Sequence, residues 1–494
     1  MMKRQSLKKN YIYNFISHIL TLIIPLITTP YLARIFREAG NGQITFANNI
    51  ISYFTMFANL GFLTYGQREI AKYQDDDYKR SKTFWEIIIV RGVFSIVSFL
   101  VLLVTTYSGL YGSSYNTLII LFSIQIIAVI FDVNFYYQGM EDFKGVATRA
   151  IIIRGSCLAL IFLLVKDESD IWIYALIYAA SFLLANVLMC LPIFKSIKKV
   201  KLSELRFKCH LIPSLTFFLP IFTSTVYASL NKLMIGYLAV NPDYENGCYG
   251  QALKLNQTIL ILITVIDSVM IARNFRDYAA KKYDELKNHL YFACNYVIHL
   301  AVPLICGICV LSKSLSAWFL GKGYEIVPLL LNILSVKFIM SGLICVFGSQ
   351  LFIVIGKEKN PTISHIIAAI SNLVLNFIFI PKYGAIGAAI TLAIAETIDC
   401  TVLAVMAFKG GYLSCGKIMK MFVKPVIAAS AMYIVIFRLN QYFSYSMLTF
   451  LFITAIGSGI YGGVLLLIKD EFARFALKRY VKPLGDKVIM HLKN

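Results

Sequence analysis

Apolar stretches close to twenty residues long recur through the sequence, the first near residue 11 and the last ending near residue 468. Hydrocarbon of about 30 Å is crossed by about twenty helical residues, and backbone inside it must satisfy its own hydrogen bonds. The alternative, a barrel, needs short segments of alternating polarity, and none are evident. Of the 494 residues 58% are hydrophobic and only 15% charged, with a mean hydropathy of +0.71. A water-soluble chain of this length needs far more charge. The sequence therefore predicts an all-α polytopic membrane protein.

Roughly fourteen spans can be drawn. The formal charge of +21 follows topology: with the N-terminus inside, about 35 Lys and Arg fall in cytoplasmic segments and about seven outside. That pattern sets orientation, with both termini cytoplasmic, and argues against nucleic acid as a partner. Residues 1–210 read as a first lobe of six spans, 211–408 as a second, and 409–494 as an added pair (422–439 and 447–468) with a basic tail. The N-terminal KRQSLKK runs straight into a full-length span, which reads as a cytoplasmic leader rather than a cleaved signal. The basic connector KSIKKVKLSELRFKCH suits an amphipathic helix on anionic lipid. An internal echo supports two lobes: Gly42-Gln43 with Asn48 matches Gly250-Gln251 with Asn256, and Pro25 and Pro220 precede them. Six spans apart means one orientation, hence a parallel repeat.

Charges inside spans carry the most information. Lys232 lies deep in the stretch 213–238, and Lys254, Arg91, Arg154 and Lys337 lie inside or at the rims of others, with Asp132, Asp267, Glu396 and Asp399 as acidic counterparts. Buried cations are expensive unless they face protein or a watery cavity. Such a cavity attracts anions such as a diphosphate, whereas rim residues can snorkel or pair with carboxylates. Asp267, Glu396 and Asp399 are candidates for a coupling ion, Glu396 and Asp399 sharing a helix face three residues apart. His299 and His365 can relay protons or simply bond neighbouring helices. Asp75-Asp76-Asp77 contains a D-x-D, yet its short basic loop leaves no room for a nucleotide domain, and a solvated charge run is the simpler reading. The ten cysteines sit mostly in apolar runs, and Cys306-x-x-Cys309 lies mid-span, as packing residues do. No P-loop, metal set, cofactor motif or catalytic triad stands out, so an enzyme is not expected.

Three stretches together carry a family resemblance: PLITTPYLARIFREAGNGQITFANNIISYFTMFANLGFLTYGQREIA, then NKLMIGYL with GCYGQALKL, then NLVLNFIFIPKYGAIGAAITLAIAE around Pro381, Gly384 and Gly387. The chain resembles the oligosaccharide (O-antigen or capsule repeat-unit) flippases, the Wzx or RfbX family of the multidrug/oligosaccharidyl-lipid/polysaccharide (MOP) exporter superfamily. The resemblance implies two six-helix lobes around a central cavity plus a C-terminal helix pair, in a bacterial cytoplasmic membrane. It implies translocation of undecaprenyl-diphosphate-linked oligosaccharide by alternating access for surface polysaccharide assembly. An H+ or Na+ counter-ion, or the membrane potential, would drive it, alongside other polysaccharide-assembly proteins. The family's cationic cavity fits Lys232 and Lys254, its arginine at the end of span 1 fits Arg34, and its arginine at the end of span 8 fits Arg273. Here Ala272 stands where the family has proline. The alternatives are a drug or lipid II exporter of the same superfamily, and a membrane-embedded polymerase or glycosyltransferase; the latter needs a large catalytic loop.

Overall fold

The computed structural model describes residues 7–477 apart from 141 and 444. Side chains are described from residue 24 onward, except at 143–151, 195, 219–220, 223–224, 227–228, 268–269 and 476. The basic leader (Lys3, Arg4, Lys8, Lys9), the Pro220 ring and the tail residues Lys478, Arg479 and Lys482 thus lie outside the described residues or side chains. Among the described residues there is no strand, and nine helices are long and apolar enough to cross a membrane.

The chain packs as two compact units. One runs to Tyr237 and includes Asn241–Gly250; the other comprises Leu238–Val240 and the described chain from Gln251 onward. The boundary expected at 210/211 follows the internal repeat, whereas packing keeps the stretch 213–237 with the first unit.

The first unit contains α1 (Leu7–Asn59), α2 (Phe62–Lys72), α3 (Asp77–Tyr107), α4 (Asn116–Phe122), α5 (Ile124–Ala128), α6 (Asn134–Gly139), α7 (Phe143–Leu164), α8 (Ile171–Cys190) and α9 (Lys208–Leu238). α1 runs through two of the expected spans. Between those spans, the short Gly-rich polar cluster REAGNGQ predicts a turn, and the structure makes it a single-residue break at Arg37 (φ 49°, ψ −165°). Such a break strands carbonyls, and the buried Asn41 amide donates to Leu32 O (3.1 Å) and Arg37 O (2.7 Å). Residues 243–247 press against this turn. A Cβ on Gly42 would lie 1.7 Å from Asp243 O, and one on Gly247 would lie 1.8 Å from Glu38 O. Only glycine allows that approach.

The basic connector is not the lipid-lying helix its composition suggests. Before α9 begins at Lys208 it forms only short 3-10 turns, at Leu191–Lys195 and Leu202–Glu204, and is strapped to the start of α3. Lys198 N donates to Ser81 Oγ (3.0 Å), Trp85 Nε1 to Lys198 O (3.2 Å), and Arg206 N to Glu86 Oε1 (2.6 Å). These side-chain contacts satisfy the backbone groups that a helix would have satisfied itself. Asp75-Asp76-Asp77 also serves this region. Asp76 caps α3, accepting from Tyr78 N (3.1 Å) and Lys79 N (3.0 Å), while Asp77 pairs with Arg80 at 2.6 Å.

The second unit contains most of α10 (Pro242–Ala279), then α11 (Tyr283–Phe319), α12 (Val327–Leu334), α13 (Lys337–Phe347), α14 (Lys359–Lys409), α15 (Cys415–Tyr442), α16 (Met447–Leu467) and α17 (Glu471–Ala476). α14, like α1, merges two expected spans and breaks at one residue, Gly384 (φ 53°, ψ −130°). Glycine tolerates that φ at little cost. Fully buried side chains clasp the two halves: Thr391 Oγ1 donates to Asn376 Oδ1 (2.5 Å), and Asn376 Nδ2 to Asn372 Oδ1 (3.2 Å). The C-terminal helix pair packs on α11 through Val310, Leu311, Met432, Ile436 and Ile453. Its far end is latched by His299, which meets Asp470 Oδ1 at 3.2 Å while Tyr461 OH donates to His299 O (2.9 Å).

The cap on α3 makes a pH prediction. The Lys79 backbone N–H, then its ammonium, hold the Asp76 carboxyl below its ordinary value. A depressed folded pKa adds stability above the unfolded value of about 3.9 and loses it as pH falls through the folded one. Asp76→Ala is expected to speed amide exchange at Tyr78 and Lys79 at neutral pH, whereas Asp76→Asn keeps the cap. The wild type should approach the alanine variant only in acid well below pH 4.

Candidate functional site: the intramembrane charges

Arg91 belongs to the packing of the first unit. It is fully buried on α3 and faces the interruption between α5 and α6, where Asp132 is extended (φ −76°, ψ 102°). Its guanidinium donates to Asp132 O (2.5 Å), Val129 O (3.1 Å) and Asn59 Oδ1 (2.9 Å), and pairs with Asp132 Oδ2 at 3.5 Å. Phe135 lies under it at 5.6 Å. The broken helix leaves carbonyls that no water can reach, and one arginine fork answers two of them. The two terminal guanidinium nitrogens are thus turned to protein oxygens, while Nε is buried without a partner among the described residues.

Lys232 has different surroundings. α9 is fixed on both sides of it: Asn49 Nδ2 donates to Ser229 O (3.1 Å) and Asn231 Nδ2 to Tyr249 OH (3.0 Å). One turn on, Gly236 lies so close to Phe46 that a Cβ would come within 2.1 Å of the ring. The Lys232 side chain is half-buried, and among the described residues its ammonium has no hydrogen bond or ion pair. Arg34 and Arg154 are exposed on α1 and α7, and Lys254 and Arg273 are exposed on α10.

In the second unit three carboxylates are each met by a different element. Glu396 accepts from Lys337 Nζ (2.8 Å) and Ser341 Oγ (2.7 Å), both on α13. Asp267 on α10 accepts from Ser349 Oγ (2.8 Å) and Gln350 Nε2 (3.0 Å). Both donors lie in Gly348–Ile353, a π-helical turn continuing α13. Asp399 is buried against His365 Nδ1 (2.6 Å) and also accepts from Ser364 Oγ. Glu396 and Asp399, three residues apart, therefore look to different partners. Among the described residues no group of three or more His, Cys, Asp or Glu is placed to hold a metal.

One cluster escaped sequence reasoning. Tyr65, His210 and Glu86 form a buried chain, with Tyr65 OH 2.7 Å from His210 Nδ1 and His210 Nε2 2.8 Å from Glu86 Oε2. These residues lie 21 and 124 positions from Glu86 along the chain, a separation that no local motif reports.

The described residues, helical throughout with nine helices long and apolar enough to cross a bilayer, are those of a multi-pass membrane protein. The match to the model of the polysaccharide biosynthesis protein family covers residues 7–271, more than half of the chain, and the chain belongs to that family. It is 23% identical over 420 residues to an Escherichia coli (strain K12) protein named "Putative O-antigen transporter", covering 83% of this chain and 99% of that one. The same name and identity recur for a Shigella dysenteriae protein over 398 residues, 79% of this chain and 98% of the relative. In fold it is similar to the lipid II flippase MurJ in an inward closed conformation, with a TM-score of 0.72 at 18% identity, covering 96% of this chain and 99% of that one. A multidrug resistance MATE transporter of the MOP superfamily, inward-facing, aligns with a TM-score of 0.55 at 13% identity over 81% and 98%. In bacteria the membrane concerned is the cytoplasmic one.

Two substitutions test the pairing. Arg91→Ala should cost about 3–5 kcal/mol, because it leaves the Val129 and Asp132 carbonyls without their donor and removes the counter-charge of Asp132. Lys337→Met should destabilise on a similar scale, and adding Glu396→Leu should recover most of the loss. Thermal unfolding in detergent, read by cysteine reactivity, measures both. A Lys337→Met variant as stable as the wild type would remove the ion pair from the account.

Proposed function

We propose that this protein is a flippase for lipid-linked oligosaccharide, moving undecaprenyl-diphosphate-linked repeat units across the cytoplasmic membrane by alternating access. The observation that carries the reading is Lys232: a cation within the bilayer, half-buried on a firmly held helix, with no protein partner among the described residues. Keeping such a charge in a membrane costs a few kcal/mol, which argues for a use. A diphosphate supplies the missing counter-charge, and its own crossing of hydrocarbon is what a hydrated cationic surface makes feasible. Family membership and the O-antigen transporter relatives support the glycan-lipid class.

In this reading α1 and α14 count as two spans each, α7 and α9 join the nine apolar helices, and the total is fourteen with both termini cytoplasmic. Arg34 and Arg154 assist Lys232, and Lys254 and Arg273 take the corresponding role in the second unit. No covalent step is required: the protein binds, changes exposure and releases. Asp399 with His365 is the proposed proton-coupling pair, since His365 is exposed while Asp399 is buried beside it. Asp267 and Glu396 hold the neighbouring helices, and Na+ remains the alternative counter-ion.

The test is transport of a fluorescent undecaprenyl-diphosphate glycan in proteoliposomes. Lys232→Ala is expected to lower the rate by about tenfold or more, the scale of one charge-assisted hydrogen bond, and Lys232→Arg to retain most of it. A wild type that moves no glycan lipid under either a pH gradient or a membrane potential would sink the proposal. Asp399→Asn should abolish the response to a pH gradient while leaving gradient-free exchange in place.

A further inference from the structure

The second unit contains a cavity of about 630 Å³ away from all the charges discussed so far. Its walls come from the last turns of α11, the chain entering α12, and the end of α15 with the loop behind it. The charge asymmetry of the sequence assigns these ends to the outer face, opposite the basic segment around Lys281, Lys282 and Lys287.

The lining chemistry is specific. Carboxamides converge from two helices, Asn332 from α12 and Asn440 and Gln441 from α15. Asn440 is held by one end: its Nδ2 donates to Val310 O (3.3 Å), while its Oδ1 is buried and has no partner among the described residues. A buried acceptor without a donor is costly, and a small rotation of the Asn440 amide would present it to a hydroxyl in the cavity. Lys313 and Glu325 add one positive and one negative charge, so the lining is formally neutral. Large rings border the amides: Phe437, Phe443 and Tyr445 remain 44%, 39% and 51% exposed.

We infer that this cavity is a sugar-binding site, taking one or two residues of an uncharged or zwitterionic oligosaccharide. Hydroxyl groups both donate and accept, and carboxamides with one carboxylate and one ammonium answer both demands. The C–H faces of pyranose rings cover aromatic side chains, which explains amides and rings in one concavity. The volume falls in the range of small-molecule sites. A phospholipid headgroup fits less well: a phosphate favours surplus cations, and among the described lining residues Lys313 is offset by Glu325. The use of the site, to receive the glycan as it emerges on the far side, rests on the flippase reading; sugar binding itself does not.

The experiment is saturation-transfer NMR of the full-length protein in phosphatidylcholine nanodiscs, with maltotriose, cellobiose, chitobiose and lactose as probes. At least one sugar should receive saturation. That signal should fall about fivefold in Tyr445→Ala, the scale of one stacking contact, and persist in Tyr445→Phe. Asn440→Ala should lose it as well, and Tyr445, exposed on a loop, provides the variant least able to disturb folding. No transfer to any sugar, undiminished transfer in both alanine variants, or displacement by soluble glycerophosphocholine would overturn the inference. Glycan-lipid transport by a wild type that binds no sugar would sink the cavity and spare the flippase. Sugar binding by a protein that moves no glycan lipid would do the reverse.

Discussion

Inside a bilayer every peptide group must find a partner within the protein, and the chain's departures from straight helix are arranged around that demand. α1 breaks at Arg37, α14 at Gly384, and the fourth expected span between α5 and α6. Each break is stitched by buried polar side chains from nearby: the Asn41 amide and the Arg91 fork take up backbone carbonyls, and the Asn376–Thr391 clasp ties the two halves of α14 side chain to side chain. A straight helix needs none of these. Breaks are retained where helix ends must turn within the packed unit, and the side chains that stitch them are as much part of the backbone as the peptide groups they serve.

The same demand sorts the intramembrane charges into two kinds. Arg91 and Lys337 are answered by Asp132 and Glu396, and their removal is a question of stability. Lys232 has no such answer among the described residues, which is why the proposed function rests on it. Charge at a membrane position is therefore not by itself a sign of a binding site. The deciding fact is whether the donors already have protein acceptors.

Side-chain bonds also do the work of secondary structure at the edges of the spans. The connector before α9 has little helix, and it is held by Ser81, Trp85 and Glu86 instead. At the other end of the chain, His299 and Tyr461 tie the added helix pair to α11 through Asp470 and the His299 carbonyl. Both arrangements place specific polar bonds near the ends of the spans, where they fix how the chain enters and leaves the packed helices.

Much was legible in the residues alone. Run length and hydropathy determine that the chain is helical and spans a membrane, because no other backbone arrangement suits segments of that length in hydrocarbon. The turn within REAGNGQ was also visible, since glycine and short polar clusters are local signals, whereas Gly384 and Gly387 entered only through the family resemblance. Lys232 stood out because a cation deep in an apolar run is anomalous wherever the run is placed. What sequence could not report is which charges meet. Arg91 and Asp132 are 41 residues apart, His210 and Glu86 124, and His299 and Asp470 171. The connector shows the same limit: its composition favours a helix on lipid, and three side chains of α3 override it. Local pattern specifies the helices and the membrane; only tertiary packing decides which polar groups are spent on holding the fold and which are left for a ligand, because pairing in a low dielectric depends on distances of a few ångströms that no spacing along the chain encodes.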